Sequence, residues 1–135
     1  MKWREIMIKA YLAGIPTYYE NEDIEIRYRI YKDQELVCEK SAFEEYKKPL
    51  VVSHVALLTL LKELKKYMEE EMIVIINDAA LYEQIREISQ TKNKEVIEMA
   101  NLVRYELNKF KGKVIVKDVS GNSAELRKWN DILHA

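Results

Sequence analysis

Apolar and polar residues alternate in two segments within the first 40 positions of the chain, a pattern typical of half-buried β-strands. Residues 5–12 and 23–32 both follow it, and the second segment has one apolar and one charged face. Residues 32–34 fit a hairpin turn and residues 35–39 fit the strand that follows it. The apolar positions of the two longer segments are Ile6, Ile8, Ala10 and Leu12, then Ile24, Ile26, Tyr28 and Ile30. We therefore predict an antiparallel meander of three strands.

The spacing of apolar residues changes from two to three or four after Pro49, which indicates helices. Residues 53–70 form the first predicted helix, with Ser53 as its N-cap. Residues 72–76 are five consecutive large apolar residues and predict a central strand covered on both faces. Asp78 follows this strand and can cap a short helix.

The rest of the chain predicts a helix over residues 94–110 ended by Gly112, a strand over residues 114–116, and a final helix. Residues 122–125 resemble a capping box that opens this last helix, with Asn in place of Ser or Thr. The predicted element order is β-β-β-α-β-α-α-β-α. It implies one α/β domain over residues 1–135, with a five-stranded mixed sheet, a right-handed crossover and helices on both faces.

Charge and composition narrow the possible functions only slightly. The chain has 22 basic and 23 acidic residues, so it has no general attraction to nucleic acid or to an anionic membrane. Cys38, the single cysteine, excludes an intrachain disulfide, and its place in a strand predicts a buried or half-buried thiol. The sequence shows no secretory signal and no apolar run long enough to span a membrane. A cytoplasmic location is therefore expected.

Four short segments, in this order along the chain, resemble the type 1 ribonuclease H family. Residues 11–14 (Tyr-Leu-Ala-Gly) take the place of the family's first-strand Asp-Gly, and residues 56–61 resemble its Ala-Leu-rich first helix. Residues 73–85 resemble the fourth strand, which ends in Asp and a small residue, with the helix that follows. Residues 130–133 (Asn-Asp-Ile-Leu) resemble the closing helix. The resemblance implies a ribonuclease H-like fold and a Mg²⁺- or Mn²⁺-dependent endonuclease of RNA–DNA hybrids.

The family's reaction needs four converging acids, because they hold two divalent ions on either side of the scissile phosphate. In the register of the resemblance, Asp78 and Asp131 match two of these acids, whereas Ala13 and Ser53 replace the other two. The resemblance therefore implies an impaired site in which Asp78 and Asp131 hold at most one weakly bound Mg²⁺ or Mn²⁺ ion. Glu63 cannot substitute, because ten residues of helix place it about 15 Å from Ser53.

Three functions are compatible with these residues. The first is a catalytically impaired ribonuclease H-like domain that binds RNA or an RNA–DNA hybrid. The second is a protein-interaction or scaffold module, with a protein partner or a second copy of the chain. The third is an active metal-dependent nuclease with a rearranged site. The balanced charge argues against the first, and the missing acids argue against the third.

Several individual residues allow both a functional and a structural interpretation. Asp78 suits a helix cap and a metal ligand equally. His54 could act as a general base, but we expect a surface or cap-region residue, and we expect His134 to be frayed. Tyr18 and Tyr19 could stack on bases, but the preferred interpretation is loop anchors over the core.

The basic residues have the same ambiguity. Arg27 and Arg29 could follow a phosphate backbone or pair across strands with Glu35, Glu39 or other acids. Positive charge is also enriched around the helix predicted at residues 94–110, where acids dilute it, so a solvated amphipathic helix is favoured. The basic residues of this region are Lys92, Lys94, Arg104, Lys109, Lys111 and Lys113.

Overall fold

The computed structural model describes residues 7–88 and 90–134 and has the element order that the sequence predicts. The strands are β1 (Met7–Ile15), β2 (Ile24–Lys32), β3 (Glu35–Glu44), β4 (Glu71–Ile76) and β5 (Val114–Asp118). The helices are α1 (Val52–Leu64), α2 (Ala79–Ile85), α3 (Lys94–Asn108) and α4 (Ser123–His134). No helix in these described ranges is long and apolar enough to cross a membrane.

The five strands form one mixed sheet in the order β3-β2-β1-β4-β5. β1 lies at the centre, antiparallel to β2 and parallel to β4, and β4 pairs in parallel with β5. The antiparallel pairing of the first two strands and the mixed sheet are therefore confirmed. The predicted strand positions Glu5 and Ile6 lie outside the described residues. This arrangement brings the carboxyl ends of β1, β4 and β5 to one edge of the sheet.

The meander closes with a two-residue turn between β2 and β3. Asp33 and Gln34 have φ angles of 51° and 72°, as a type I′ hairpin turn requires. β3 continues to Glu44, so the boundary predicted at Glu39 was wrong. β3 is an edge strand whose side chains are mostly exposed, and such positions do not need the apolar alternation that reveals a strand.

Each face of the sheet buries its own apolar cluster. The larger cluster packs α1, α2 and α3 against residues such as Ile8, Leu12 and Tyr28. Burial is the main cause that raises the pKa of Tyr28 to about 12. Cys38 packs half-buried against this cluster, as predicted, and burial raises the pKa of its thiol. The smaller cluster packs α4 against the opposite face of β1, at positions that include Ala13.

The start of α1 differs from the prediction. A 3₁₀ turn at Pro49–Val51 leads directly into the helix, so the N-cap position is occupied by Val51, which makes no side-chain cap hydrogen bond. The prediction that Ser53 caps the helix was therefore wrong, and Ser53 lies in its first turn. At the other end, α1 stops at Leu64 rather than Glu70 and tightens into a second 3₁₀ turn. Gly112, with a φ of 83°, follows α3 as predicted.

Candidate functional site

A cavity of about 150 Å³ lies where the carboxyl ends of β1 and β4 meet the first turn of α1. In an open α/β sheet, this edge is where ligands usually bind. Three of the four positions singled out from the sequence line the cavity: Ala13 from β1, Ser53 from α1 and Asp78 at the end of β4. The fold thus brings together residues that are 25 to 65 positions apart in the chain.

Ala13 and Gly14 form the β1 side of the cavity. Ala13 is buried and supplies only a methyl group, so it offers no ligand to a metal ion. A Cβ added to Gly14 would lie 3.1 Å from both Cγ1 and the carbonyl oxygen of Val52. The glycine therefore allows α1 to approach β1 closely at this point, which places Ser53 at the cavity. Ser53 itself is half-buried and offers one hydroxyl group.

Asp78 caps α2, which confirms the structural part of its predicted role. Its Oδ1 accepts a hydrogen bond of 2.9 Å from the backbone N–H of Leu81. The N–H of Asp78 donates to Oδ1 of Asp118, at the end of β5, over 3.0 Å. The Asp118 carboxylate also accepts hydrogen bonds from the backbone N–H of Ser120, at 3.1 Å, and from its hydroxyl, at 2.6 Å. One oxygen of Asp78 and both oxygens of Asp118 are therefore already engaged.

α4 presents Trp129 to the cavity. The indole N–H of Trp129 donates a 2.9 Å hydrogen bond to the carbonyl oxygen of Leu12, and this bond fixes the helix against β1. Asp131 is exposed and does not line the cavity. Because each helical residue turns by about 100°, Asp131 lies about 200° around the helix from Trp129. The role of Asp131 in metal binding therefore stays a prediction.

His54 lies beneath the cavity in the first turn of α1. It is 2% exposed, so of the two placements expected for it, at the surface or in the cap region, the surface one was wrong. Its Nε2 lies 2.5 Å from Oε1 of Gln84 in α2, and no described group hydrogen bonds to its Nδ1. Burial lowers the pKa of His54, whereas the Gln84 hydrogen bond and the charge of Asp78 act in the opposite direction. In the sequence, His54 stands near the start of the first predicted helix, shortly after Pro49. This position did not indicate a buried contact with Gln84.

Solved structures that resemble the chain fix its fold. LC11-RNase H1, isolated from compost by a metagenomic approach, matches with a TM-score of 0.74 at 13% identity, covering 96% of this chain and 92% of that chain. The N-terminal RNase H domain of a Mycobacterium tuberculosis protein matches with a TM-score of 0.68 at 13% identity, with 94% and 93% covered. The fold is that of ribonuclease H.

Further solved structures have the same fold, whereas the comparisons with family models and curated proteins found no match. RNase H1 from Halobacterium salinarum matches with a TM-score of 0.66 at 12% identity, and 88% of this chain and 89% of that chain are covered. LC11-RNase H1 has also been solved in complex with an RNA/DNA hybrid. No family model and no curated protein matches the sequence. The likeness is therefore one of fold, without close sequence similarity.

The residues that line the cavity do not fit a pair of divalent ions, because they include a single carboxylate. Among residues 7–88 and 90–134, no three His, Cys, Asp or Glu side chains are grouped so that they could hold a metal ion. Asp78 is the one carboxylate among the residues that line the cavity, and it also serves as a helix cap. Asp118 and Trp129 were not predicted as site residues from the sequence. Asp118 could have been predicted, because it is an acid at the end of β5, the strand next to β4.

Two tyrosines and a histidine outside the cavity lie in surroundings that differ from those expected. Tyr18 and Tyr19 are 78% and 66% exposed, so the preferred interpretation as loop anchors over the core was wrong. His134 ends α4 rather than fraying, because its Nδ1 lies 3.1 Å from Nη1 of Arg27 and its ring packs beside Trp129. The turn that contains the two tyrosines is solvated because it lies beyond the end of β1.

The arginines of β2 are engaged by acids. Arg29 pairs with Glu39 on β3 at 2.8 Å, which confirms the cross-strand interpretation, and Arg27 pairs with Glu25 at 2.5 Å. Glu25 has a lowered pKa, chiefly because of its hydrogen bond with Arg27. At the end of α3, Lys109 pairs with Glu106, as expected of a solvated amphipathic helix. These basic groups are partly neutralised by acids of the chain.

Proposed function

We propose that the chain is a ribonuclease H-like domain that does not cleave RNA–DNA hybrids and keeps a role in binding nucleic acid. The absence of cleavage is inferred from the residues that line the cavity at the ends of β1 and β4. Ala13 and Ser53 occupy positions where the resemblance expects carboxylates, and Trp129 closes the α4 side. Such a cavity lacks the charge that two bound divalent ions require.

The chemistry of the reaction explains why this loss is severe. One ion activates the attacking water and the other stabilises the leaving oxygen, so both must be held at once. Magnesium is held in such sites by carboxylates together with substrate phosphates, and it gives up its water reluctantly. A methyl group and a hydroxyl group in place of two carboxylates remove two negative charges from the site. Asp78, half engaged as a helix cap, cannot replace them.

The proposed nucleic-acid role rests on the fold and on the edge of the sheet where the carboxyl ends of β1 and β4 meet. A protein of the same fold, LC11-RNase H1, has been solved with an RNA/DNA hybrid. The proposed ligand is RNA or an RNA–DNA hybrid. With a net charge of −1, the chain has little general attraction to such a ligand, so binding would depend on local basic groups and weaken as salt rises. A protein-interaction or scaffold role is the outcome favoured if no nucleic acid binds.

A cleavage assay tests the catalytic half of the proposal. The wild-type chain should cleave a labelled RNA–DNA hybrid no faster than a no-enzyme control, in either Mg²⁺ or Mn²⁺. The double variant Ala13→Asp/Ser53→Glu restores both missing carboxylates and should produce detectable cleavage, which Asp78→Asn added to it should remove. Robust cleavage by the wild type that Asp78→Asn abolishes would refute the proposal.

A binding assay tests the other half separately. Fluorescence anisotropy should detect saturable binding of a labelled hybrid or single-stranded RNA at low salt. The affinity should fall by more than tenfold between about 50 mM and 200 mM salt if several phosphates are contacted. A chain that is folded by circular dichroism but binds neither ligand at low salt would exclude the nucleic-acid role.

A further inference from the structure

A groove of about 700 Å³ opens on the sheet face that carries α4. It shares no lining residue with the cavity around Asp78. Its volume is within the range of about 300–1,000 Å³ that is typical of small-molecule sites. The side chains relevant to ligand binding are Lys9, Tyr11, Tyr31, Asp33, Gln34 and Lys128.

The groove exists because α4 covers only part of this face. Trp129 and Leu133 pack the helix against the second half of β1, close to Ala13. Among the described residues, the start of β1 therefore remains open on this face, where Met7 is half-buried and Lys9 is exposed, whereas Tyr11 is buried at the border with the α4 cluster. Lys128 precedes Trp129 in the helix and lines the groove from the α4 side.

The register of β1 and β2 gives the groove a charge order. Asp33 and Gln34 line it at the hairpin end, where the backbone N–H of Asp33 lies 3.4 Å from the carbonyl oxygen of Met7. Lys9 lies directly opposite Tyr31, farther along the strands, and Lys128 lies at the α4 end. Neither lysine has an ion pair or a hydrogen bond with a described residue, whereas the arginines of β2 do. The groove is therefore acidic at one end and basic from its middle to the other end.

Two tyrosines supply an aromatic floor between these ends. The rings of Tyr11 and Tyr31 have centroids 5.8 Å apart and planes at 87°, so they meet edge to face. Tyr11 is 5% exposed and packed in the α4 cluster, and Tyr31 is half-buried. A planar ring placed on Tyr31 would gain stacking while Tyr11 holds the tyrosine in place.

We propose that this groove binds a nucleoside monophosphate. Its phosphate would contact the ammonium groups of Lys9 and Lys128, and its base would lie on Tyr31. Asp33 can accept hydrogen bonds from the N–H groups of the base, and Gln34 can both donate and accept them. A ligand with an anionic group at one end and N–H donors at the other matches the charge order of the groove. This site does not depend on the function proposed for the cavity around Asp78.

Titration of the full chain with adenosine monophosphate, followed by amide NMR spectra, tests the proposal. We expect saturable shifts at Lys9, Tyr31 and Lys128, with adenosine and inorganic phosphate each binding at least about tenfold more weakly. The double variant Lys9→Gln/Lys128→Gln should weaken binding by about tenfold or more, because it removes both charge-assisted contacts. Tyr31→Phe keeps the stacking surface and should bind within about twofold of wild type.

The matched control is Lys40→Gln/Arg127→Gln. It removes the same total charge from one strand residue and one α4 residue that do not line the groove, and both are exposed without ion pairs among the described residues. The control should bind like the wild type. Equal weakening in both double variants, shifts centred on Asp78, or no saturable shift with adenosine monophosphate would each overturn the proposal.

Discussion

Gly14 is the residue on which the close approach of α1 to β1 depends. The atoms nearest to a methyl group added at this position would include the backbone carbonyl oxygen of Val52, at 3.1 Å, and Cβ of Ala56, at 3.2 Å. Backbone atoms and a buried alanine cannot move aside as the end of a flexible side chain can. The absence of a side chain at Gly14 therefore keeps the first turn of α1, and Ser53 with it, at the cavity.

A single methyl group should show this dependence. Gly14→Ala is expected to lower the free energy of unfolding by about 1–3 kcal/mol, since the core is overpacked at that position. Gly121→Ala is the control, because nothing lies within 4 Å of the Cβ it would add, and it should change stability by less than about 0.5 kcal/mol. Urea unfolding of both variants measures the difference. Equal stability of the two would show that α1 can shift away from β1.

Between elements, buried and half-buried polar contacts connect α1, α2 and α3. His54 of α1 meets Gln84 of α2, and the carbonyl oxygen of Gln84 accepts a 2.5 Å hydrogen bond from Nη1 of Arg104 in α3. One residue of α2 thus contacts both neighbouring helices. Since α2 has only seven residues, these contacts and the Asp78 cap hold a helix that would be unstable alone.

The lowered pKa of His54 makes this contact sensitive to acid. The unfolded chain binds a proton near the usual histidine pKa of about 6.5, whereas the folded chain resists protonation to lower pH. Stability should therefore fall as the pH drops below about 6.5, by at most about 1.4 kcal/mol for each pH unit from this group. Above that pH, His54 is neutral in both states and adds no pH dependence.

Urea unfolding between pH 7.5 and pH 5.5 checks this expectation in two variants. Burial also lowers the pKa of His134, so His134→Gln serves as the background that removes its contribution. Adding His54→Gln should flatten the remaining loss of stability at low pH, because carboxylates titrate alike in both proteins. The same slope with and without His54 would assign the acid sensitivity to other groups.

At the scale of the whole molecule, the topology was predictable and parts of the site were not. Alternation in β1 and β2 and the apolar run of β4 identified these strands, because burial on one or both faces leaves a direct pattern in the sequence. The exposed strand β3 leaves little of that pattern, so its end was misplaced. Trp129 and His54 were missed as site and core residues because their placement depends on how α4 and α1 rotate against the sheet.

The metal-binding capacity of the folded molecule gives a test that spans several elements. We expect at most one Mn²⁺ ion to bind near Asp78, with a dissociation constant on the order of millimolar, as for other sites with few oxygen ligands. Paramagnetic broadening of amide signals would map it, with Asp78→Asn and Asp131→Asn as separate variants. Loss of broadening in both would support the predicted pair, and loss in Asp78→Asn alone would exclude Asp131. Micromolar binding would contradict the expectation.

β3 has a strand on only one side in the described sheet, so its outer backbone groups could pair with another polypeptide. Glu39 and Lys40 stand next to each other near the middle of the strand, and the β2–β3 pairing shifts its register between Ile30 and Tyr31. Charged side chains and irregular pairing both discourage the addition of a further strand. The edge thus carries its own protection against aggregation, and replacing both Glu39 and Lys40 with uncharged residues would remove it.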